Sequence, residues 1–346
     1  MIGAIAATVL FACSAIFGQR LSRMLGGIVA NFWRLLLAVC CLGALCGLIF
    51  RDQFPSHPAV FWWFFLSGII GFGFGDVALY LAYFRIGARL TMLLNLCLAP
   101  VFGAVGEYVW MGQQVSMPEI VCIVVIVAGI VLALKPDSQR PPHVKSGMLV
   151  TGICFAVVAG MGQGLGAVVS RYADSVGVLE GLEMQGMGGG LSQAFVRTLG
   201  GLTIALACFA GYQWGATRLR RAAHEAIDAS SEPAKLPRKG RLSDRAKMRR
   251  ANRFLPFWLT GAAITGPVLG VGCFQWALQS QKSAIVLAVT ATSPLLVMLL
   301  ARAVEKERTS LLALIGALIS VSGVIAICLM KLPPDFWQQL NQVDAD

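Results

Sequence analysis

Charge is scarce in this chain, and acid is scarcer than base. Of 346 residues only 13% are charged, 17 acids against 28 bases, while 57% are apolar and the mean hydropathy is +0.73. Soluble domains carry about 25% charged residues, so the scarcity excludes an ordinary water-soluble fold and makes lipid the main solvent. Histidine is rarer still. His57, His143 and His224 all fall in expected loops, which leaves no imidazole for a metal site inside the apolar segments. The ten cysteines (Cys13, Cys40, Cys41, Cys46, Cys97, Cys122, Cys154, Cys208, Cys273, Cys328) lie within apolar runs without one Cys-x-x-Cys pair. They read as small hydrophobes rather than zinc or redox ligands, and no cofactor is expected.

Long apolar runs are what the chain has in quantity. About 20 helical residues cross the roughly 30 Å hydrocarbon layer, and ten such runs lie near 1–19, 28–50, 59–83, 91–111, 117–134, 147–169, 192–214, 255–278, 283–302 and 310–330. They are apolar all round, whereas the strands of a spanning β-barrel alternate. The fold expected is therefore an all-α integral membrane protein of ten transmembrane helices. The first run lacks the basic leader of a signal peptide.

The runs are duplicated. An offset of 194 puts Pro100 on Pro294, Gln113 on Glu307, Ser116 on Ser310 and Gly129 on Gly323. At 144, Gly3, Phe11, Gly18 and Gln19 fall on Gly147, Phe155, Gly162 and Gln163; at 163, Arg34 falls on Arg197; at 195, Trp63, Gly71 and Gly75 fall on Trp258, Gly266 and Gly270. Each half holds five spans, at 1–135 and 147–330, joined by a linker at 136–146 and followed by an acidic tail at 331–346. An odd number of spans per half inverts the second in the membrane, the plan of many secondary transporters.

The net charge of +11 is not a nucleic-acid footprint. Most of the 28 bases abut the connections after runs 1, 3, 5, 7 and 9. The positive-inside rule then puts these loops in the cytoplasm and both termini outside, in a multi-pass protein of the cytoplasmic (inner) membrane. The richest cluster, at 215–253, suits either contact with anionic lipid or a solvated topology signal. The connection at 171–191 reads as a mobile linker, since its glycines lack the Gly-Lys-Ser/Thr ending of a phosphate loop.

Polar residues inside the spans mark the candidate site. Gln19 and Gln163 need either a neighbouring helix or a wet cavity, and Asn95 with Gln275 and Trp276 joins them as substrate contacts. Tyr80 and Tyr83 are cavity or gate aromatics. Asp76 is the candidate proton site, or else a carboxylate bonded to nearby backbone. Arg34 and Arg197 read either as snorkelling anchors or as gate or anion-binding groups. Pro100 and Pro294 each break a span, and breaks at corresponding places in two halves point to a midplane site. Gly71 and Gly75 offer a small-residue face for close helix approach, mirrored by Gly266 and Gly270.

Gly73-x-Gly75-Asp76 also spells the GxGD of intramembrane aspartyl proteases. That chemistry needs two carboxylates sharing a proton, and the chain has neither an earlier Tyr-Asp nor a later Pro-Ala-Leu. A membrane enzyme of this type and a non-transporting membrane binding protein stand as the alternatives.

The ordered set, Gly75-Asp76 through Ile86-Gly87-Ala88-Arg89 to Pro100 and Pro294 through Glu307-Arg308-Thr309 to Gly323, resembles the EamA-type members of the drug/metabolite transporter superfamily. The resemblance spans nearly the whole chain except 215–253 and the tail. It implies a secondary transporter, not an enzyme, moving small metabolites such as amino acids or related polar and amphipathic compounds by alternating access. The partners expected are a small-molecule substrate, the bilayer and a second copy of the chain in a homodimer. Two departures stand out: Gln113 replaces the family's usual turn Glu, kept as Glu307, and family members usually have both termini inside.

Overall fold

The computed structural model describes residues 2–111, 117–134, 146–182, 184–229, 254–280, 286, 289–304 and 310–330. Among these residues there is no strand. The helices are α1 (Ile2–Leu25), α2 (Gly27–Leu48), α3 (Pro58–Gly68), α4 (Asp76–Met111), α5 (Met117–Leu134), α6 (Ser146–Leu179), α7 (Gly186–Ala229), α8 (Leu255–Ala263), α9 (Leu269–Ser280), α10 (Ser293–Val304) and α11 (Leu311–Met330). Two π-helical segments, Ile69–Gly75 and Ile264–Val268, join α3 to α4 and α8 to α9.

Among the described residues, six stretches are long and apolar enough to cross a membrane: Ile2–Leu25, Gly27–Leu48, Pro58–Trp110, Gly147–Leu179, Gly186–Leu219 and Leu255–Gln279. Pro58–Trp110 contains both of the runs expected at 59–83 and 91–111. They meet at Gly87, whose φ of 77° and ψ of 170° break α4 in a conformation open to glycine alone.

Helices that are distant in sequence pack in a reciprocal pattern. α1 lies against α8, α9 and α10, while α6 lies against α3, the first π segment and α4; α2 packs on α7, and α5 on α11. Without a hydrophobic drive between helices in lipid, such packing rests on close backbone approach. The crossing of the first π segment with α6 shows how close. A Cβ on Gly162 would come within 2.7 Å of the Gly75 Cα, and one on Gly166 within 3.2 Å of the Gly71 Cα. The small-residue face expected at Gly71 and Gly75 is thus in use, against α6.

Three local expectations change. The linker expected at 171–191 shrinks to 180–185, because α6 runs on to Leu179 and α7 starts at Gly186. Gly189 and Gly190 lie inside α7, where a Cβ would meet the Met184 and Gly272 carbonyl oxygens, so packing rather than mobility accounts for them. The basic connection expected from 215 begins as helix, since α7 continues to Ala229, and Arg218 there covers the Trp214 ring at 3.8 Å. Pro294 is the second residue of α10, where a missing N–H costs nothing, and the interruption expected in this span falls just ahead of it, at the turn of Ala291 and Thr292. Pro100 does lie inside α4. Residues 230–253, the expected linker from 136 to 145 and the tail at 331–346 lie outside the described residues.

Candidate functional site

The two π segments hold matching places in the duplication, Ile69 on Ile264 and Gly71 on Gly266 at the offset of 195. A π turn inserts a residue, widens the helix and turns the following side chains to a new direction; such bulges are frequent at functional sites. The sequence makes them locally. Gly71, Gly73 and Gly75 lower the helix-forming tendency of the first, and Pro267 denies the second an amide donor.

Between them lies a small open pocket of about 60 Å3, lined by residues that include Ser14, Arg34, Phe72, Asp76, Tyr83, Asn95, Gln163, Gly266, Pro267 and Val271. Five of the candidate site residues meet here: Arg34, Asp76, Tyr83, Asn95 and Gln163. They come from α2, α4 and α6, and the second π segment closes the opposite wall.

The centre of the site is an ion pair between Arg34 and Asp76, both under a tenth exposed. The guanidinium also donates from Nη2 to Asn31 Oδ1 at 3.1 Å and covers the Tyr80 ring at 4.7 Å. Tyr80 in turn meets Tyr83 edge to face at 5.4 Å, and Tyr83 donates to Met92 Sδ at 3.1 Å. The arginine is thus enclosed by partners inside the protein. Asp76 likewise bonds a side chain rather than nearby backbone.

The glycines of the π segments make room for the two arginines. A Cβ on Gly266 would stand 3.0 Å from Arg34 Nη1, and one on Gly71 would stand 3.5 Å from Arg197 Nη2. Each arginine therefore reaches the π segment of the other half of the chain. Arg197 is also buried, with its guanidinium over the Phe72 ring at 5.3 Å.

The EamA-like transporter family matches residues 1–135 and 233–329, two thirds of the chain. The chain belongs to that family. It is therefore a multi-pass membrane protein of the drug/metabolite transporter type. No curated protein matches it. Among solved structures, one crystal structure of a protein with 15% sequence identity aligns over 94% of this chain and 96% of its own, at a TM-score of 0.52, which shows a shared fold.

In this EamA-like chain the other expected site residues lie away from the pocket lining. Gln19 is fully buried, and its Oε1 accepts from the Ala88 amide at 2.7 Å, satisfying a backbone donor at the Gly87 break. Gln275 donates from Nε2 to Ser170 Oγ at 2.8 Å, tying α9 to α6. Trp276 packs beside Gly3 of α1 and Gly190 of α7. Tyr80 backs Arg34 without lining the space. Phe72, Pro267 and Val271 line it and were not singled out; the signal for them was their place beside the doubled glycines.

The lining holds one carboxylate, Asp76, and that group faces Arg34. Among the described residues, a shared-proton carboxylate dyad has no second member there.

Proposed function

We propose that this chain is a secondary carrier moving small polar or amphipathic metabolites, amino acids among them, across the cytoplasmic membrane by alternating access. The halves at 1–135 and 147–330 act as inverted five-helix repeats. In this reading the two halves rock about the pocket between the π segments. The observation that carries it is the pocket's composition: the Arg34–Asp76 pair and the amides of Asn95 and Gln163, in an otherwise apolar interior, walled by a π segment from each half. Ionisable groups are expensive in lipid and are kept where a pathway needs them. The unused hydrogen-bonding capacity is specific as well, since Asn95 Oδ1 is enclosed without a partner among the described residues.

The reciprocal packing of α1 with α8–α10 and of α6 with α3 and α4 supports the same reading, because two crossing units of this kind can exchange conformations. The chain acts as a carrier and not as an enzyme, as a pocket with a single carboxylate suits solute binding better than aspartyl proteolysis.

The test is efflux from proteoliposomes loaded with a mixed pool of amino acids and other small metabolites, read by mass spectrometry. Selective loss of a few compounds, abolished in an Asn95→Ala, Gln163→Ala double variant that remains folded, is the expected result. Retention of every compound under pH gradients of either sign would sink the carrier and favour a non-transporting membrane binding protein.

A further inference from the structure

Arg34, Arg197 and Asp76 are the buried charges among the described residues, so the core around the pocket holds one positive charge in excess. Asp76 is committed to Arg34. Arg197 is 3% exposed, its Nε is enclosed, and no hydrogen bond or ion pair reaches it from a described residue. What it has is the face of Phe72, the open side of Gly71 and, beyond ion-pair distance, the charge of Asp76, which Arg34 already holds. A cation–π contact recovers only part of what it costs to take a cation out of water.

The duplication accounts for the imbalance. The offset that carries Gly71 to Gly266 carries Asp76 to Val271, so the second arginine has a valine where the first has its acid. Phe72 and Val271 both line the pocket. The excess positive charge, one carboxylate being shared between two guanidiniums, therefore stands behind the Phe72 side chain that lines the open space, in surroundings where little water screens it.

We infer that the pocket's ligand is an organic anion, a small metabolite whose carboxylate or phosphate is drawn to Arg197 past the Phe72 ring while Asn95 and Gln163 bind its remaining polar groups. The inference rests on the pocket being the substrate site and narrows the class of substrate. The ligand supplies the counter-charge that position 271 lacks. A neutral molecule of the same shape leaves the cation unpaired and gains nothing from it.

The experiment is equilibrium binding to the purified full-length protein at fixed chloride, with two matched pairs of probes: L-glutamate against L-glutamine, and glycerol 3-phosphate against glycerol. At least one acid should bind about tenfold more tightly than its neutral partner. Arg197→Gln and Val271→Asp should each bring that ratio close to one, and Arg197→Lys should keep most of it. Val271→Asp leaves Arg197 in place, so its result holds even if Arg197→Gln does not fold.

Preference for glutamate alone assigns a carboxylate, and preference for glycerol 3-phosphate alone assigns a phosphate. Equal binding of acid and neutral partner, binding of neither acid, or a preference that survives Val271→Asp overturns the inference. Efflux of neutral solutes without acid preference would remove this inference and leave the carrier standing. Tight acid binding without flux would do the reverse.

Discussion

Asp76 on α4 closes an ion pair with Arg34 on α2 inside the apolar interior, and both side chains are largely buried. Removing one partner leaves the other charge buried, which costs about 3–5 kcal/mol, whereas replacing both with apolar groups of similar volume is often neutral. Asp76→Leu and Arg34→Met should therefore each lower the melting temperature in detergent sharply, and the double variant should recover most of the loss. Transport should stay absent in all three, because the pocket loses its polar centre. A double variant no more stable than the singles would mean that the pair does not act as a unit.

The crossing of α6 over the first π segment gives a second, purely steric expectation. In Gly162→Ala the new methyl would meet Gly75 Cα at 2.7 Å and the Ile70 carbonyl oxygen at 2.9 Å, both of them backbone. The helices must separate, at about 1–3 kcal/mol for overpacking. Gly211→Ala on the exposed part of α7 meets nothing within 4 Å and should be neutral or slightly stabilising. Thermal denaturation of the two variants side by side checks the difference.

These particulars show what was legible in the sequence. Asp76, Arg34, Asn95 and Gln163 could be singled out because a polar side chain in a span must have a partner, and the chain brings them to one pocket. The same rule says nothing of which partner. Gln19 therefore read as a substrate contact, although its carbonyl serves a backbone amide freed at Gly87, and Gln275 serves Ser170. The π segments were hidden because Gly71 and Gly75 also spell a packing face, which they are; the extra residue per turn depends on tertiary packing. The helical extensions to Leu179 and Ala229 were missed because polar composition signals the end of the membrane, not the end of a helix.

Gly87 and Gln19 act on one break, so their variants should not add. Gly87→Ala forces a side chain into a conformation that costs about 1–3 kcal/mol. Gln19→Leu strands the Ala88 amide at about the same cost. If Gly87→Ala shifts the break and releases that amide from Gln19, the double variant should fall short of the sum by about 0.5 kcal/mol or more, readable in a double-mutant cycle.

The division between lining and supporting amides gives a sharper test of the site. Gln163 and Asn95 face the pocket, whereas Gln275 is 1% exposed and engaged with Ser170. Replacing a lining amide with leucine removes hydrogen bonds that only a substrate can use, so Gln163→Leu and Asn95→Leu should raise KM for transport about tenfold, at little loss of stability. Gln275→Leu should do the opposite. It strands the Ser170 hydroxyl between α6 and α9, lowers the melting temperature by an amount equivalent to about 1–3 kcal/mol, and leaves KM near the parent value. Because the three residues are all amides in apolar spans, a general intolerance of the membrane core would move all three variants alike. A split between KM and melting temperature along the line drawn by the pocket ties the loss to the site itself.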